Sequence, residues 1–205
     1  NTLDTILWQA EEENNQEVIH LTQALSDFFR ISLSSGKDWI PVKEELKHLS
    51  GYLAIQKVRY RDVLNYEIDV DNGLLEHTIL KLVLQPLVEN AIYHGIKERR
   101  GGGKIIVSGH EESGMMVFSV TDNGTGMSPE RLEALRTSLA EGTDIPRAQE
   151  FPGHNGSGFG LRNVDQRIRL YYGQPDGLQI ESGRQGTNVT FRVPSKVKKE
   201  IQDGI

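Results

Sequence analysis

Three short segments, in fixed order, hold residue types suited to one chemistry. They are Leu84-Gln-Pro-Leu-Val-Glu-Asn-Ala-Ile-Tyr-His-Gly95, Asp122-Asn-Gly-Thr-Gly126 and Gly156-Ser-Gly-Phe-Gly160. The first offers the amide of Asn90, with His94 one helical turn further along the same face. The second offers a carboxylate, Asp122, where an alternating strand pattern runs into a tight glycine turn. The third is a glycine-rich loop immediately before a helical pattern that starts near Leu161. An amide that can ligate a metal, a carboxylate that can accept from an exocyclic amine, and a loop that can wrap phosphates are together the equipment of an ATP site.

Each segment also has a plainer reading. A neutral amide oxygen is a competent hard ligand for Mg²⁺, which keeps waters and substrate phosphates in its shell. Asn90 could equally satisfy backbone within a core helix, although asparagine is mildly unfavourable in a helix interior. Adjacent Glu89 adds a second polar group to an otherwise apolar stretch. Asp122 could meet the amine of adenine while Gly124 and Gly126 let backbone approach a flat ring closely. The alternative is an ordinary Asp-Asn-Gly turn. Gly156, Gly158 and Gly160 lead into a helix whose free N–H groups and dipole favour phosphate oxygens; a glycine triplet can also be no more than a loose loop. Arg162, Arg167 and Arg169 follow on that helix, within reach of phosphates or on a solvated face, the latter above all for Arg169.

Two better-known phosphate loops do not fit. Leu161 stands where a dinucleotide-binding loop would place its third glycine. Neither Gly36-Lys37 nor Gly103-Lys104 is followed by Ser or Thr, as a P-loop requires. His20, His48, His77 and His110 show no metal-ligand spacing and read as surface or packing residues; His154 is uninformative.

Elements able to position these groups are visible in the hydrophobic pattern. Residues 3–34 place Val18, Leu21, Leu25 and Phe28 at helical spacing, and after a break at Ser34–Lys37 a second helix starts near Pro41, with Leu46, Leu49 and Leu53 on one face. The pair reads as a helical hairpin whose apolar stripe could seek a partner pair. From Leu64 the period changes: Leu64, Tyr66, Ile68 and Val70 alternate as in a half-buried strand. A turn at Asp71-Asn-Gly73 leads into a helix expected around 76–96. Two hairpins follow, 104–109 with 115–121 and 178–181 with 188–193. Between them lies a polar, glycine-rich stretch from about Gly126 to Gly160 that holds one short helix, 129–139. A final helix spans 161–172.

The bulk properties narrow the classes. The chain has 205 residues, enough for one or two compact units. With 37% hydrophobic and 25% charged residues it has the composition of a polar globular protein. A formal net charge of -6 argues against a general nucleic-acid surface, so a phosphate ligand must be held by local groups. Zero cysteines exclude disulfides, thiol catalysis and cysteine-based zinc sites. No apolar run approaches the roughly 18 residues of a membrane span. The opening residues are acidic, with Glu11, Glu12 and Glu13 in a row, unlike a signal peptide. The chain opens on Asn1, which reads as a fragment of something longer.

With the three segments in order, the chain resembles the ATP-binding superfamily of histidine kinases, Hsp90-type chaperones, type II topoisomerases and mismatch-repair ATPases. Within it, 84–95 looks like the asparagine box of YesM/LytS-like sensor histidine kinases. Asp122–Met127 resembles their first glycine box and Gly156–Arg167 their second. Gly186-Thr187 is similar to the closing Gly-Thr pair, and 52–60 resembles the second helix of their dimerisation region.

The resemblance implies an α+β fold: a helical hairpin, then a two-layer α/β sandwich of the Bergerat type, with a mixed, mostly antiparallel sheet, helices on one face and a mobile lid. It implies a dimerisation region over 1–62, an ATP-binding catalytic domain over 63–196 and a tail over 197–205. ATP and Mg²⁺ are the implied cofactors, with Asn90 on the metal and Glu89 as an exposed candidate for metal or water contact. His94, Asp122, Gly124, Gly126, Met127, Gly156, Gly158, Phe159, Gly160, Leu161, Arg162 and Thr187 are the further nucleotide-binding positions. The implied partners are a second copy, through the N-terminal helices, and a response regulator; neither nucleic acid nor direct membrane contact is expected. The implied location is the cytoplasmic portion of a membrane-anchored sensor.

One departure stands out. In the family the phosphate-accepting histidine lies just before an Asn-Thr-Leu segment, and this chain opens with Asn1-Thr2-Leu3, so it is expected to bind ATP without phosphorylating itself there. Two other readings compete: a scaffold that only senses ATP, and an ATPase of the same superfamily. Against the latter, Pro86 stands four residues before Asn90, where those ATPases carry a glutamate.

Overall fold

The computed structural model describes residues 38–60, 63–96, 101–142 and 159–196, together with positions 18, 19, 22 and 25. The first helix of the expected hairpin, the lid stretch over 143–158 and the tail fall, but for those four positions, outside the described residues.

Strand β1 (Trp39–Pro41) leads directly into helix α1 (Val42–Arg59). Glu44 and Glu45 in its first turn and Lys57 and Arg59 in its last complement the helix dipole. Strand β2 (Leu64–Val70) follows, then a 3₁₀ turn at Asn72–Leu74 and strand β3 (Thr78–Leu80). Helix α2 (Leu84–Asn90) continues as a π-helical turn over Ala91–Ile96. The expected helix over 76–96 is therefore shorter than its pattern suggested. Its first residues pair as β3 against β1, with Ile40 opposite Ile79. A three-residue strand inside an apolar run has no period that separates it from helix.

Both expected hairpins are present. Strands β4 (Gly103–Glu112) and β5 (Met115–Asp122) join through Ser113 and Gly114, both at positive φ, as a right-twisted two-residue hairpin requires. Helix α3 (Pro129–Glu141) starts on Ser128, whose hydroxyl accepts from the Arg131 N–H, and stops at Gly142 in the left-handed region. Helix α4 (Phe159–Tyr172) precedes strands β6 (Gln179–Gly183) and β7 (Gly186–Pro194). The five-stranded sheet runs β2-β4-β5-β7-β6; β2 is parallel to β4 and every other pairing is antiparallel. That is the mixed, mostly antiparallel sheet expected.

Alternation sorts the sheet into two faces. Ile105, Val107, Met116, Phe118, Val120, Val189 and Phe191 point into one cluster with the buried residues of α1, α2 and α4. The opposite face carries Ser108, Ser119, Thr121 and Asn188, which bond to one another across the strands. Helix α1 gives Val42, Leu49 and Leu53 to the same core as the sheet. The expected division between residues 62 and 63 thus runs through shared packing.

Candidate functional site

Asp122 is the last residue of β5 and is only 5% exposed. Its Oδ1 accepts from the Gly124 N–H at 2.8 Å, and the Thr187 backbone also donates to the carboxylate. Burial nevertheless pushes its pKa up, against the pull of those two N–H groups. The pairing of β5 with β7 sets Thr187 directly opposite Asp122. The Thr187 hydroxyl lies 2.8 Å from Ser182 Oγ, which also accepts from the Met127 N–H at 2.9 Å. Residues 122–127 are therefore held by the β6–β7 hairpin.

The other side of this turn rests on the end of the α2 segment. The Thr125 N–H donates to Gly95 O and its hydroxyl to His94 O, both at 3.3 Å. Contact here is too close for side chains. A Cβ on Gly95 would lie 2.5 Å from Asp122 Oδ1, and one on Gly124 would lie 2.3 Å from the Gly95 backbone. Gly126, at φ +65°, would push a Cβ to 1.7 Å from Gly183 O. The glycines let helix, turn and hairpin converge on one carboxylate.

Asn90 ends α2, and its Nδ2 donates to Pro86 O at 2.6 Å. Because a carbonyl can only accept, this bond identifies the nitrogen and leaves Oδ1 as the amide's acceptor. The backbone-satisfying reading and the ligand reading of Asn90 are compatible, since they use different atoms. A Cβ on Gly160 would lie 3.5 Å from Asn90 Nδ2, so the start of α4 sits on the amide. Leu161 is buried beneath it, Met127 packs against the core, and Arg162 is half-buried on α4. Gly156, Gly158 and the Phe159 side chain lie outside the described residues.

Several expectations change. Glu89 is half-buried rather than exposed, and accepts from Gln85 Nε2 at 2.6 Å instead of forming a helix salt bridge. It lies toward α1, where burial first and then the Glu89 charge push the Tyr52 phenol's pKa up. Arg167 and Arg169 are committed elsewhere. Arg167 donates to Lys81 O at 2.7 Å and Leu82 O at 3.2 Å, and Arg169 pairs with buried Asp165 at 2.7 Å. Both guanidinium groups bond to protein groups rather than lying on a purely solvated face. Sequence reasoning gave no role to Gly95 or Ser182. A glycine within a helical pattern five residues after Asn90 was the available signal for the first; a lone serine gives none.

A cavity of about 500 Å³ opens beside the turn, lined by Asn123, Gly124, Thr125, Arg184 and Gln185. It lies at the carboxylate end and is not lined by Asn90 or Gly160. Among the described residues no cluster of three His, Cys, Asp or Glu could cage a metal. A divalent ion would have to share Asn90 with ligand oxygens and water, a pattern that suits Mg²⁺ on a phosphorylated substrate.

A family model for histidine kinase-, DNA gyrase B- and HSP90-like ATPases matches residues 76–197. The chain belongs to this ATPase family. A histidine kinase family model matches residues 1–64 as well. The chain is 29% identical over 197 residues to the sensor histidine kinase YesM of Bacillus subtilis, covering 96% of this chain and 31% of that protein. It is 32% identical over 198 residues to the sensor protein LytS of Staphylococcus saprophyticus, covering 95% of this chain and 31% of that protein. The chain thus spans about a third of the length of these relatives.

Solved structures share the ATPase-family fold. The histidine kinase domain of a blue-light-activated kinase from Erythrobacter litoralis aligns with TM-score 0.55 at 17% identity, over 99% of this chain and 87% of that one. The catalytic domain of histidine kinase ThkA aligns with TM-score 0.54 at 20% identity, over 77% and 94%. The resemblance read from the three motifs, to the ATP-binding region of sensor histidine kinases, is borne out at the level of family and fold. No helix among the described residues is long and apolar enough to cross a membrane.

Proposed function

We propose that this chain is the ATP-binding catalytic region of a sensor histidine kinase, passing the γ-phosphoryl of ATP to a histidine and then to a response-regulator aspartate. The observation that carries the reading is Asp122: a buried carboxylate on which a strand end, a glycine turn and the end of the α2 segment converge. An acceptor so enclosed selects a donor such as the adenine amine, because a ligand lacking that N–H leaves buried polar groups unpaired.

Gly124, Gly126 and Met127 would line the base, with Thr187 supporting that end and His94 beside it. Asn90 Oδ1 would hold Mg²⁺, whose charge would neutralise the phosphates. Gly156, Gly158, Phe159 and Gly160 would close on the triphosphate, with Leu161 and Arg162 at the start of α4. Glu89, next to Asn90, would contact the metal or its water. Catalysis of this kind is mostly positioning and electrostatics. The 1–62 region would dimerise, the 63–196 region would bind ATP, and 197–205 would form a tail, all within the cytoplasmic portion of a membrane-anchored protein.

Two of the described histidines are poorly placed to accept a phosphoryl group. His48 is buried at 1% exposure, and His77 Nδ1 lies 2.8 Å from Ser195 O. The test is calorimetric ATP titration with and without Mg²⁺, alongside phosphohistidine detection in a chain extended upstream through the family's histidine. Mg²⁺-dependent binding, phosphate in the extended chain only, and no transfer in Asn90→Asp are expected. Absence of Mg²⁺-dependent binding, or phosphoryl transfer undiminished in Asn90→Asp, would overturn the reading.

A further inference from the structure

Among the described residues, the buried carboxylate that accepts most hydrogen bonds lies outside the candidate site. Glu45 projects from α1 and is 1% exposed. Its Oε2 accepts from the Leu82 N–H at 2.8 Å, and its Oε1 accepts from Val83 and Leu84 at 2.9 Å each. These three N–H groups belong to the corner between β3 and α2. The carbonyls of the same corner, Lys81 O and Leu82 O, are taken by Arg167 from α4. Tyr172, also on α4, accepts from the Leu80 N–H at 3.0 Å. The corner is thus gripped on its donor side by one helix and on its acceptor side by another.

Leu82 shows that this grip is needed. It sits at φ +59°, a conformation a branched side chain rarely adopts and one that persists only where the surroundings over-determine it. A buried charge is also an indirect route to stability, because apolar packing of similar volume commonly does as well. What a charged, multiply bonded group gives in addition is register. Here the register concerns α2, which starts at the gripped corner and ends at Asn90, with Gly160 of α4 packed on that amide.

We propose that Glu45 and Arg167 are positioning residues that clamp the 81–84 corner, setting Asn90 against the start of α4 and coupling the placement of α1 to the phosphate end of the nucleotide site. The inference rests on the ATP reading for its functional half. Its structural half stands without it. A small displacement of α1 moves the corner, and the corner moves the short helix that carries Asn90. The carboxylate end has further supports: Gly95 and His94 hold its turn from the α2 side, while Asp122, Gly124 and Thr187 are also held by β5, β7 and the β6–β7 hairpin.

The experiment compares wild type with Glu45→Gln, which keeps the shape and removes one acceptor, and with Arg167→Gln. Amide hydrogen exchange is measured first, on the nucleotide-free protein. Both variants are expected to exchange about tenfold faster over residues 82–96, with β4, β5 and β7 unchanged. Faster exchange throughout the sheet, or none over 82–96, would overturn the clamp. Should Glu45→Gln fail to fold, Arg167→Gln decides this arm from the acceptor side.

ATP titration follows, with and without Mg²⁺. Metal-free affinity is expected to fall by no more than a few-fold, because β5, β7 and the β6–β7 hairpin still hold the carboxylate, while the gain from Mg²⁺ falls by about tenfold. Equal losses in both conditions, or an undiminished Mg²⁺ gain, would overturn the coupling. A wild type without any Mg²⁺ gain would instead sink the ATP reading and the coupling with it, while the exchange result still decides the clamp.

Discussion

At Asp122 burial and function pull in opposite directions. Accepting from an amine is strongest in the ionised form, and burial disfavours that form. Because the folded pKa is raised above the ordinary 3.8, the folded chain holds this proton more tightly than the unfolded one. Its contribution to stability is therefore most favourable at low pH, and diminishes as pH rises from about 3.8 through the folded pKa. Asp122→Asn should thus gain stability relative to wild type toward neutral pH, a difference that shrinks as pH falls; urea melts across pH measure it. Glu45, also raised by burial, contributes with the same sign in both proteins and cancels in the comparison. The same variant should lose roughly 10- to 100-fold in ATP affinity by calorimetry, as expected for a hydrogen bond to a charged group.

Gly95 tests the same point by volume instead of charge. In Gly95→Ala the added methyl meets the Asp122 carboxylate head-on. We expect a loss of about 1–3 kcal/mol in denaturant unfolding together with loss of ATP binding. Asp122 was readable because an acidic residue ended an alternating strand pattern at a glycine turn. Gly95 was read only as part of a motif, since its reason for being glycine is a carboxylate far along the chain.

Among the elements, the two hairpins and helices α3 and α4 were legible because their periods extend over several residues. Strand β3 and the π-helical end of α2 were not. The first is too short to show alternation, and the second ends where the Thr125 N–H, distant in sequence, donates to the Gly95 carbonyl. The β6–β7 hairpin has a use its pattern does not display: Ser182 bridges it to the 122–127 turn. Ser182→Ala strands the Met127 N–H and should cost about 1–2 kcal/mol. It should also weaken ATP binding several-fold while far-ultraviolet circular dichroism stays unchanged. Native-like affinity in that variant would mean the turn holds itself.

At the scale of the whole molecule, the layered α+β arrangement followed from the order of patterns, but the place of α1 did not. Its apolar stripe, Leu46, Leu49 and Leu53, reads the same whether it faces a partner helix or the sheet. Only the three-dimensional packing shows Leu49 and Leu53 in the common core. The sheet order has a consequence for synthesis. Strand β7 lies between β5 and β6 and is the last of the described strands to be made, so until Pro194 has left the ribosome β5 has β4 on one side and lacks its β7 neighbour on the other. Met116, Phe118 and Val120 then lack the neighbouring Val189 and Phe191. Asn90 and Asp122 are translated before Gly186 and Thr187, which complete the turn around the carboxylate. Until then the chain has an incomplete turn around Asp122 and an open sheet edge, and the step that seals the edge also closes that turn.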